Sequence, residues 1–289
     1  MRLNEWRVKA EKKLELSGIT TARLDVLILL EDTSGKERAW LLAHQETMLN
    51  QKQLKVLNKQ IDRRALHEPL AYIRGKSEFY GREFMVTPDT LQPRPETETM
   101  ITCLKNLLYN KLDISKTRSW KIVDVGTGSG CLAITTKLEW PDARVYATEI
   151  NKDTLKIAKQ NATKLKAEVK FYLGNLLEPI YTLQPTAYTL VLLCNLPYVP
   201  NSHTINQAAM QEPKLAIFGG EDGLDLYRKL FEQLNTGLEF RVKGEKNKLI
   251  YIFTESLPFQ HKALANIAKE SGFMHKKTDD FIQVFQNEG

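Results

Sequence analysis

Two short stretches carry residue types whose spacing could do chemistry. The first is Asp124-Val125-Gly126-Thr127-Gly128-Ser129-Gly130, three alternating glycines between an apolar run and a helical one. Glycine lets a chain turn tightly and approach a ligand, and free amides at the start of the following helix favour an anionic group. Cys131 directly follows Gly130, so the pattern is GxGxG and departs from the GxGxxG of dinucleotide folds. Glu149 stands 23 residues beyond Gly126, at the end of the next apolar run. A carboxylate there can accept hydrogen bonds from both hydroxyls of a ribose. NAD and S-adenosylmethionine both meet these requirements; for the second, the loop amides would face an amino-acid carboxylate instead of a pyrophosphate. The plain alternatives are an ordinary strand–helix turn and a solvated strand-end acid.

The second stretch, Asn195-Leu196-Pro197-Tyr198, separates the two ligands. It follows the apolar run Leu190–Cys194, at the strand end where open α/β sheets bind ligands. Asn Oδ1 can accept a hydrogen bond from an NH2 group, and the carbonyl of Leu196 can accept a second. Pro197 removes a competing donor and biases Leu196 toward an extended conformation, which aims that carbonyl. Tyr198 can lay its ring on a flat amide or base. Such a clamp does not suit hydride transfer. It suits moving a methyl group from a sulfonium to a planar nitrogen, where catalysis is positioning plus stabilisation of the charge growing on that nitrogen. A strand-end turn is the plain alternative here.

The elements that must position these stretches are legible around them. Ile122–Val125, Val145–Ile150, Val169–Leu173 and Leu190–Cys194 are short β-branched runs, and Leu155, Ala158, Ala162 and Leu165 form a helical stripe between the second and third. Later strands are expected at Leu249–Thr254 and Phe281–Phe285, around a helix near 260–271. Strand–helix alternation at this rhythm predicts a parallel sheet with helices on both faces. Glu96 opens a helix with Met100, Ile101, Leu104, Leu107 and Leu108 on one face. Phe79–Phe84 reads as a hairpin. Residues 1 to about 70 are helical in pattern, with stripes at Leu24, Leu27, Ile28, Glu31 and at Leu54, Leu57, Ile61.

Composition bounds the class. The chain has 289 residues, room for about two domains. At 42% hydrophobic and 26% charged it is globular in type, not disordered or collagenous. The run Val26–Leu30 stops at Glu31, far short of the ~20 residues a spanning helix needs. Three scattered cysteines and five histidines show no metal-ligand or disulfide spacing, so a reduced, cytoplasmic, metal-free protein is expected. The net charge is +6, but residues 1–80 hold a surplus of only four basic residues, which reads as a solvated basic surface.

With these residues in view, the chain resembles the release-factor glutamine methyltransferases, the PrmC/HemK family. The likeness rests on Glu68–Gly75 with Glu78–Gly81, on Leu91-Gln92-Pro93-Arg94-Pro95-Glu96-Thr97-Glu98, on Asp124–Gly130, on Glu212-Pro213 and on Phe218–Arg228. It implies a class I methyltransferase fold, Rossmann-like with a mostly parallel sheet, preceded by a five-helix bundle and a β-hairpin linker. The boundaries expected are 1–70, 71–95 and 96–289. It implies methylation of the side-chain amide (N5) of the glutamine in the Gly-Gly-Gln motif of class 1 peptide chain release factors, with S-adenosylmethionine as donor and S-adenosylhomocysteine as product. Asn195, Leu196, Pro197 and Tyr198 would form the catalytic tetrad. Gly126, Thr127, Gly128, Ser129, Gly130, Glu149, Asn175, Leu176 and Asn195 would bind the cofactor. The helical domain would help dock the release factor; a monomer without stable nucleic-acid or membrane binding is expected.

Two positions depart from the family. Leu196 replaces the first proline of Asn-Pro-Pro-Tyr but keeps its carbonyl, so a slightly looser clamp is expected. Asn175 stands where an aspartate commonly meets the adenine amino group, so weaker cofactor binding is expected. The spelling Asn-Leu-Pro-Tyr also resembles the rRNA adenine dimethyltransferases, although some 120 residues precede the loop here and those enzymes usually begin with it. Ribosomal-protein glutamine methyltransferases share Gly128-Ser129-Gly130-Cys131 but usually depart after Arg94. A non-catalytic binding module of the same fold is the alternative from another class.

Overall fold

A computed structural model of the chain describes residues 1–111, 120–180, 189–236 and 249–287. The chain forms two compact units, Met1–Lys76 with Ile205–Gln211, and Ser77–Thr204 with Glu212–Gly289.

The first unit holds five helices: α1 (Leu3–Leu16), α2 (Ala22–Ser34), α3 (Arg38–Ala43), α4 (Gln51–Ala65) and α5 (Leu70–Arg74). Asn50 opens α4 with a reciprocal cap: its Oδ1 accepts from Gln53 N at 2.9 Å, and Gln53 Oε1 accepts from Asn50 N at 3.0 Å. Trp6, Leu14, Val26, Leu29, Leu30, Leu57 and Ile61 build the core. Leu27 of the expected α2 stripe is buried, but Leu24 is exposed, and Val26, Leu29 and Leu30 face inward with Leu27. Val26–Leu30 is apolar all round, so periodicity leaves the phase of the helix open and packing against α1 and α4 decides it. Buried Asp25 accepts from Arg64 Nε at 2.7 Å and from the Thr21 hydroxyl at 3.0 Å. The segment 205–211 joins this unit, with Gln211 Nε2 donating to the Leu66 carbonyl at 2.8 Å.

In the second unit, β1 (Lys76–Phe79) and β2 (Arg82–Met85) form the expected hairpin, its buried Phe79 and Phe84 rings meeting edge-on at 6.2 Å. Among the described residues, seven further strands form one sheet in the order β5-β4-β3-β6-β7-β9-β8. They are β3 (Trp120–Val125), β4 (Arg144–Glu149), β5 (Lys170–Leu173), β6 (Thr189–Cys194), β7 (Leu249–Glu255), β8 (Phe273–Asp279) and β9 (Ile282–Asn287). The first five lie parallel, and β9 runs antiparallel to both β7 and β8. Helices α6 (Glu98–Lys111), α7 (Cys131–Glu139), α8 (Lys152–Leu165), α9 (Asp225–Thr236) and α10 (His261–Glu270) flank it. One apolar layer gathers Met100, Ile101, Leu104, Ile134 and Ala162; the other gathers Tyr227, Leu230, Phe231 and Leu264. This is the Rossmann-like architecture that the strand–helix rhythm predicted. Strand order reverses at β3, which sets the carboxyl ends of β3, β4, β6 and β7 side by side, where such sheets bind ligands.

Candidate active site

The glycine loop leaves β3 and enters α7. It is propped from below by Asp124, whose Oδ2 accepts from the Thr127 hydroxyl at 2.6 Å and from Ala133 N at 3.0 Å. Burial pushes the Asp124 carboxyl up to about 7, against those two donors that favour its anion. Asn161 of α8 ties the loop to the hairpin: its Nδ2 donates to the carbonyls of Ser129 and Met85, each at 2.9 Å, and its Oδ1 accepts from Met85 N at 2.7 Å. Most loop amides are spent within the fold. Gly126 N and Thr127 N donate to the Thr148 carbonyl, Gly130 N to that of Thr127, and Gly128 N to Glu149 Oε2 at 3.0 Å. The sequence reading sets the loop amides against a ligand carboxylate. A loop this tight consumes its own donors; among the described residues, Ser129 N is the loop amide left without a partner.

Glu149 closes β4. Its second oxygen accepts from Asn151 N at 2.9 Å, so both oxygens are held in place while keeping further lone pairs. Burial raises its pKa, and the backbone donors of Asn151, Gly128 and Ile150 oppose that rise. Exposed Ile150 follows it, and exposed Leu173 pairs with it across β5. Asn175 turns its Nδ2 to Glu178 Oε1 at 3.1 Å, which leaves its Oδ1 as the outward acceptor. Leu176 beside it is buried, with a left-handed φ of 49°.

The tetrad follows β6. Asn195 Nδ2 donates to the Thr97 hydroxyl at 2.9 Å. The amide is therefore turned so that Oδ1, not Nδ2, is left over. Leu196 is buried and packs on the glycine loop: a Cβ on Gly126 would lie 3.1 Å from its Cδ2, at a φ of 73° that only glycine adopts freely. The Tyr198 hydroxyl donates to Glu255 Oε1 at 3.0 Å, which fixes its ring plane, and burial beside that carboxyl raises its pKa. Glu255 ends β7, one residue beyond the strand end read from sequence. It is buried, and burial pushes it up to about 7 against the Thr97 and Tyr198 hydroxyls. The Tyr227 hydroxyl rivets the two strand ends, lying 3.0 Å from the Cys194 carbonyl and 2.6 Å from the Glu255 carbonyl.

The remaining motifs hold the tetrad from outside. Buried Glu212 accepts from Arg94 Nη2 at 2.6 Å and from Gln92 N at 3.1 Å, which pins the segment that delivers Thr97. Val199 N donates to the Ile217 carbonyl and Gly219 N to that of Val199, both at 3.0 Å, so residues 217–219 run beside the end of the tetrad. Gln260 Nε2 clips the two together, donating to the carbonyls of Tyr198 at 2.8 Å and Asp222 at 2.7 Å. Sequence reasoning placed the tetrad but missed Thr97, Glu255 and Gln260 as its partners, and Asp124 and Asn161 as the loop's. Thr97 had a signal, since it stands inside the motif 93–98.

The residues present fit S-adenosylmethionine. Ser129 Oγ is buried without a hydrogen-bond partner, and the Ser129 amide beside it is unspent. Glu149 offers acceptors to a ribose, Ile150 and Leu173 offer apolar surface to a flat ring, and Asn175 Oδ1 offers an acceptor to an amino group.

Comparison with known proteins adds a lineage to this geometry. Residues 5–75 match the PrmC N-terminal domain, and residues 104–212 match the methyltransferase small domain. The release factor glutamine methyltransferase of Koribacter versatilis is 36% identical over 228 residues, covering 78% of each chain. That of Bacillus subtilis is 38% identical over 211 residues, covering 72% of each. That of Coxiella burnetii is 36% identical over 220 residues, covering 75% of this chain and 76% of its own.

Proposed function

Because the chain belongs to the release factor glutamine methyltransferases, we propose that it uses S-adenosylmethionine to methylate the side-chain amide nitrogen of the Gly-Gly-Gln glutamine in class 1 release factors. The observation that carries this reading is the Asn195–Thr97 hydrogen bond, which leaves the Asn195 carbonyl oxygen as the acceptor at the end of β6. Asn195 Oδ1 and the Leu196 carbonyl grip the two N–H bonds of the glutamine amide. Gripping both sets the amide plane and presents the nitrogen lone pair along its normal. Tyr198, held by Glu255, supports the face of that plane. S-adenosylmethionine, when bound, supplies an electrophilic methyl group; Gly126, Thr127, Gly128, Ser129, Gly130, Glu149, Asn175 and Leu176 would hold it. As the N–C bond forms and the S–C bond breaks, positive charge grows on the nitrogen, and both acceptors stabilise that charge more than they stabilise the neutral amide. One N–H proton then passes to water to leave the neutral N-methyl amide.

This reading makes another protein the substrate; among the described residues no helix is long and apolar enough to cross a membrane. The test is transfer of labelled methyl to purified release factor. Label is expected on the Gly-Gly-Gln glutamine and none on a Gln→Ala factor; labelled RNA instead would replace this reading by that of an rRNA adenine methyltransferase. Asn195→Ala should lower the rate about 10²–10³-fold, as loss of a charge-stabilising contact does, with cofactor affinity unchanged by calorimetry. Glu149→Ala should give the reverse split.

A further inference from the structure

A hydroxyl and a primary amide can each face either way in a hydrogen-bonded chain, so something must set the direction at Asn195. Asn195 Nδ2 donates to Thr97 Oγ1 at 2.9 Å. The hydroxyl, having accepted there, has its own proton left to give. Glu255 is 1% exposed, and its Oε1 takes the Tyr198 hydroxyl at 3.0 Å. Its Oε2 is buried with no hydrogen-bond partner. The Thr97 hydroxyl is one of the two groups that favour the Glu255 anion. A leftover proton and a leftover acceptor thus stand together behind the tetrad.

We propose that Glu255 is a positioning residue for methyl transfer: in its ionised form it is an acceptor-only carboxylate behind Thr97 and Tyr198, draws both hydroxyl protons toward itself and so obliges the Asn195 amide to present its oxygen to the substrate. This deepens the proposed function and rests on it. The register Cys194↔Thr254 places the ends of β6 and β7 side by side, so the carboxylate meets Tyr198 directly, and Asn195 through Thr97, from a rigid strand. With Gln at 255, the side-chain NH2 can donate to Thr97; Thr97 can then donate to Asn195, and the amide turns its NH2 toward the pocket. Donor would then meet donor where the glutamine N–H bonds should be gripped.

The experiment compares wild type with Glu255→Gln, Thr97→Val and Thr97→Ser. Each is assayed at pH 8 and above, where Glu255, pushed up to about 7, is ionised, for kcat and KM on release factor and for S-adenosylmethionine affinity. Glu255→Gln and Thr97→Val should lose about tenfold or more in kcat, within the range for a lost charge-stabilising contact, and hold cofactor affinity within about twofold. Thr97→Ser, which keeps the hydroxyl, should regain most of what Thr97→Val loses. Unchanged kcat in both variants, or kcat and cofactor affinity falling together, overturns the inference. A second readout needs no methyl acceptor: the Asn195 side-chain NH2 signal in ¹⁵N NMR, assigned by its loss in Asn195→Ala. Slow proton exchange is expected in wild type and fast exchange in Glu255→Gln, and equal exchange again overturns it. A wild type that labels no release factor would refute the functional reading alone, since the NMR comparison still decides the role of Glu255.

Discussion

Asp124 contributes two accepted hydrogen bonds beneath the glycine loop at the cost of burying a carboxyl. With its pKa raised to about 7, the folded protein keeps a proton that the unfolded chain releases near pH 4. Native binding of more protons than the unfolded state means that this group's contribution to stability falls as pH rises from about 4 to about 7 and is level above. Asn at 124 mimics the protonated acid: its oxygen can take both Thr127 and Ala133, and it cannot ionise. The Asp124→Asn variant should therefore match wild type near pH 4 and exceed it at pH 8. The gap in melting temperature should widen by roughly 2 °C or more between pH 5 and pH 8, since about 1 kcal/mol moves Tm by some 2–4 °C in a domain of this size. A gap independent of pH would mean that the carboxyl is ionised in the folded state throughout. Asn161, also buried, raises no such issue: it is neutral, and its three hydrogen bonds satisfy it.

The segment 217–223 works as a backing plate for the tetrad, and its glycines are there because side chains would collide. A Cβ on Gly223 would come within 2.0 Å of the Tyr198 carbonyl oxygen and 2.4 Å of Gln260 Nε2, at a φ of 82°. Gly81 in the hairpin turn has a similar φ of 70° with nothing within 4 Å. Gly223→Ala should thus lose stability by more than the ~1 kcal/mol that strain alone costs, and lose kcat as Tyr198 shifts. Gly81→Ala should show the strain cost only, and thermal melts with kcat measured on both would separate the two. Equal behaviour would remove the close-approach argument. These elements show what the sequence reveals and what it hides. The buried parallel strands β3, β4 and β6 are legible because continuous apolar runs are what a sheet covered on both faces requires. Strand β8 was missed because Met274, His275, Lys276 and Lys277 are all exposed on the sheet edge, leaving no apolar run to read. The tetrad announces itself by its own residue types. Its supports Thr97 and Glu255 lie 98 and 57 residues from their partners Asn195 and Tyr198; strand order brings Glu255 to its place, and the Glu212 contacts to Gln92 and Arg94 hold the segment that carries Thr97.

At the scale of the whole chain, the proposed site would grip very little of its substrate. Two accepted N–H bonds and one ring face would act on a single side chain, and a typical hydrogen bond is worth only about 0.5–1.5 kcal/mol net. Micromolar recognition of a partner needs about 8 kcal/mol. The remainder must come from surfaces that touch the release factor far from the glutamine, and the helical unit offers exposed faces for this. On α4, Lys52, Lys55 and Lys59 are exposed while Leu57 and Ile61 face the core. Remote contacts also help to orient the reacting amide, so a truncated substrate should lose kcat as well as affinity. A short peptide bearing Gly-Gly-Gln should then be methylated with kcat/KM at least about 10²-fold below that of the intact factor, the effect of roughly 3 kcal/mol of lost contact. The Asn195→Ala variant should be impaired by a similar factor on both substrates, because the tetrad meets the same amide in each. Steady-state kinetics on the two substrates with both enzymes checks this. Equal kcat/KM for peptide and factor would confine recognition to the pocket and leave the helical unit without a role in docking.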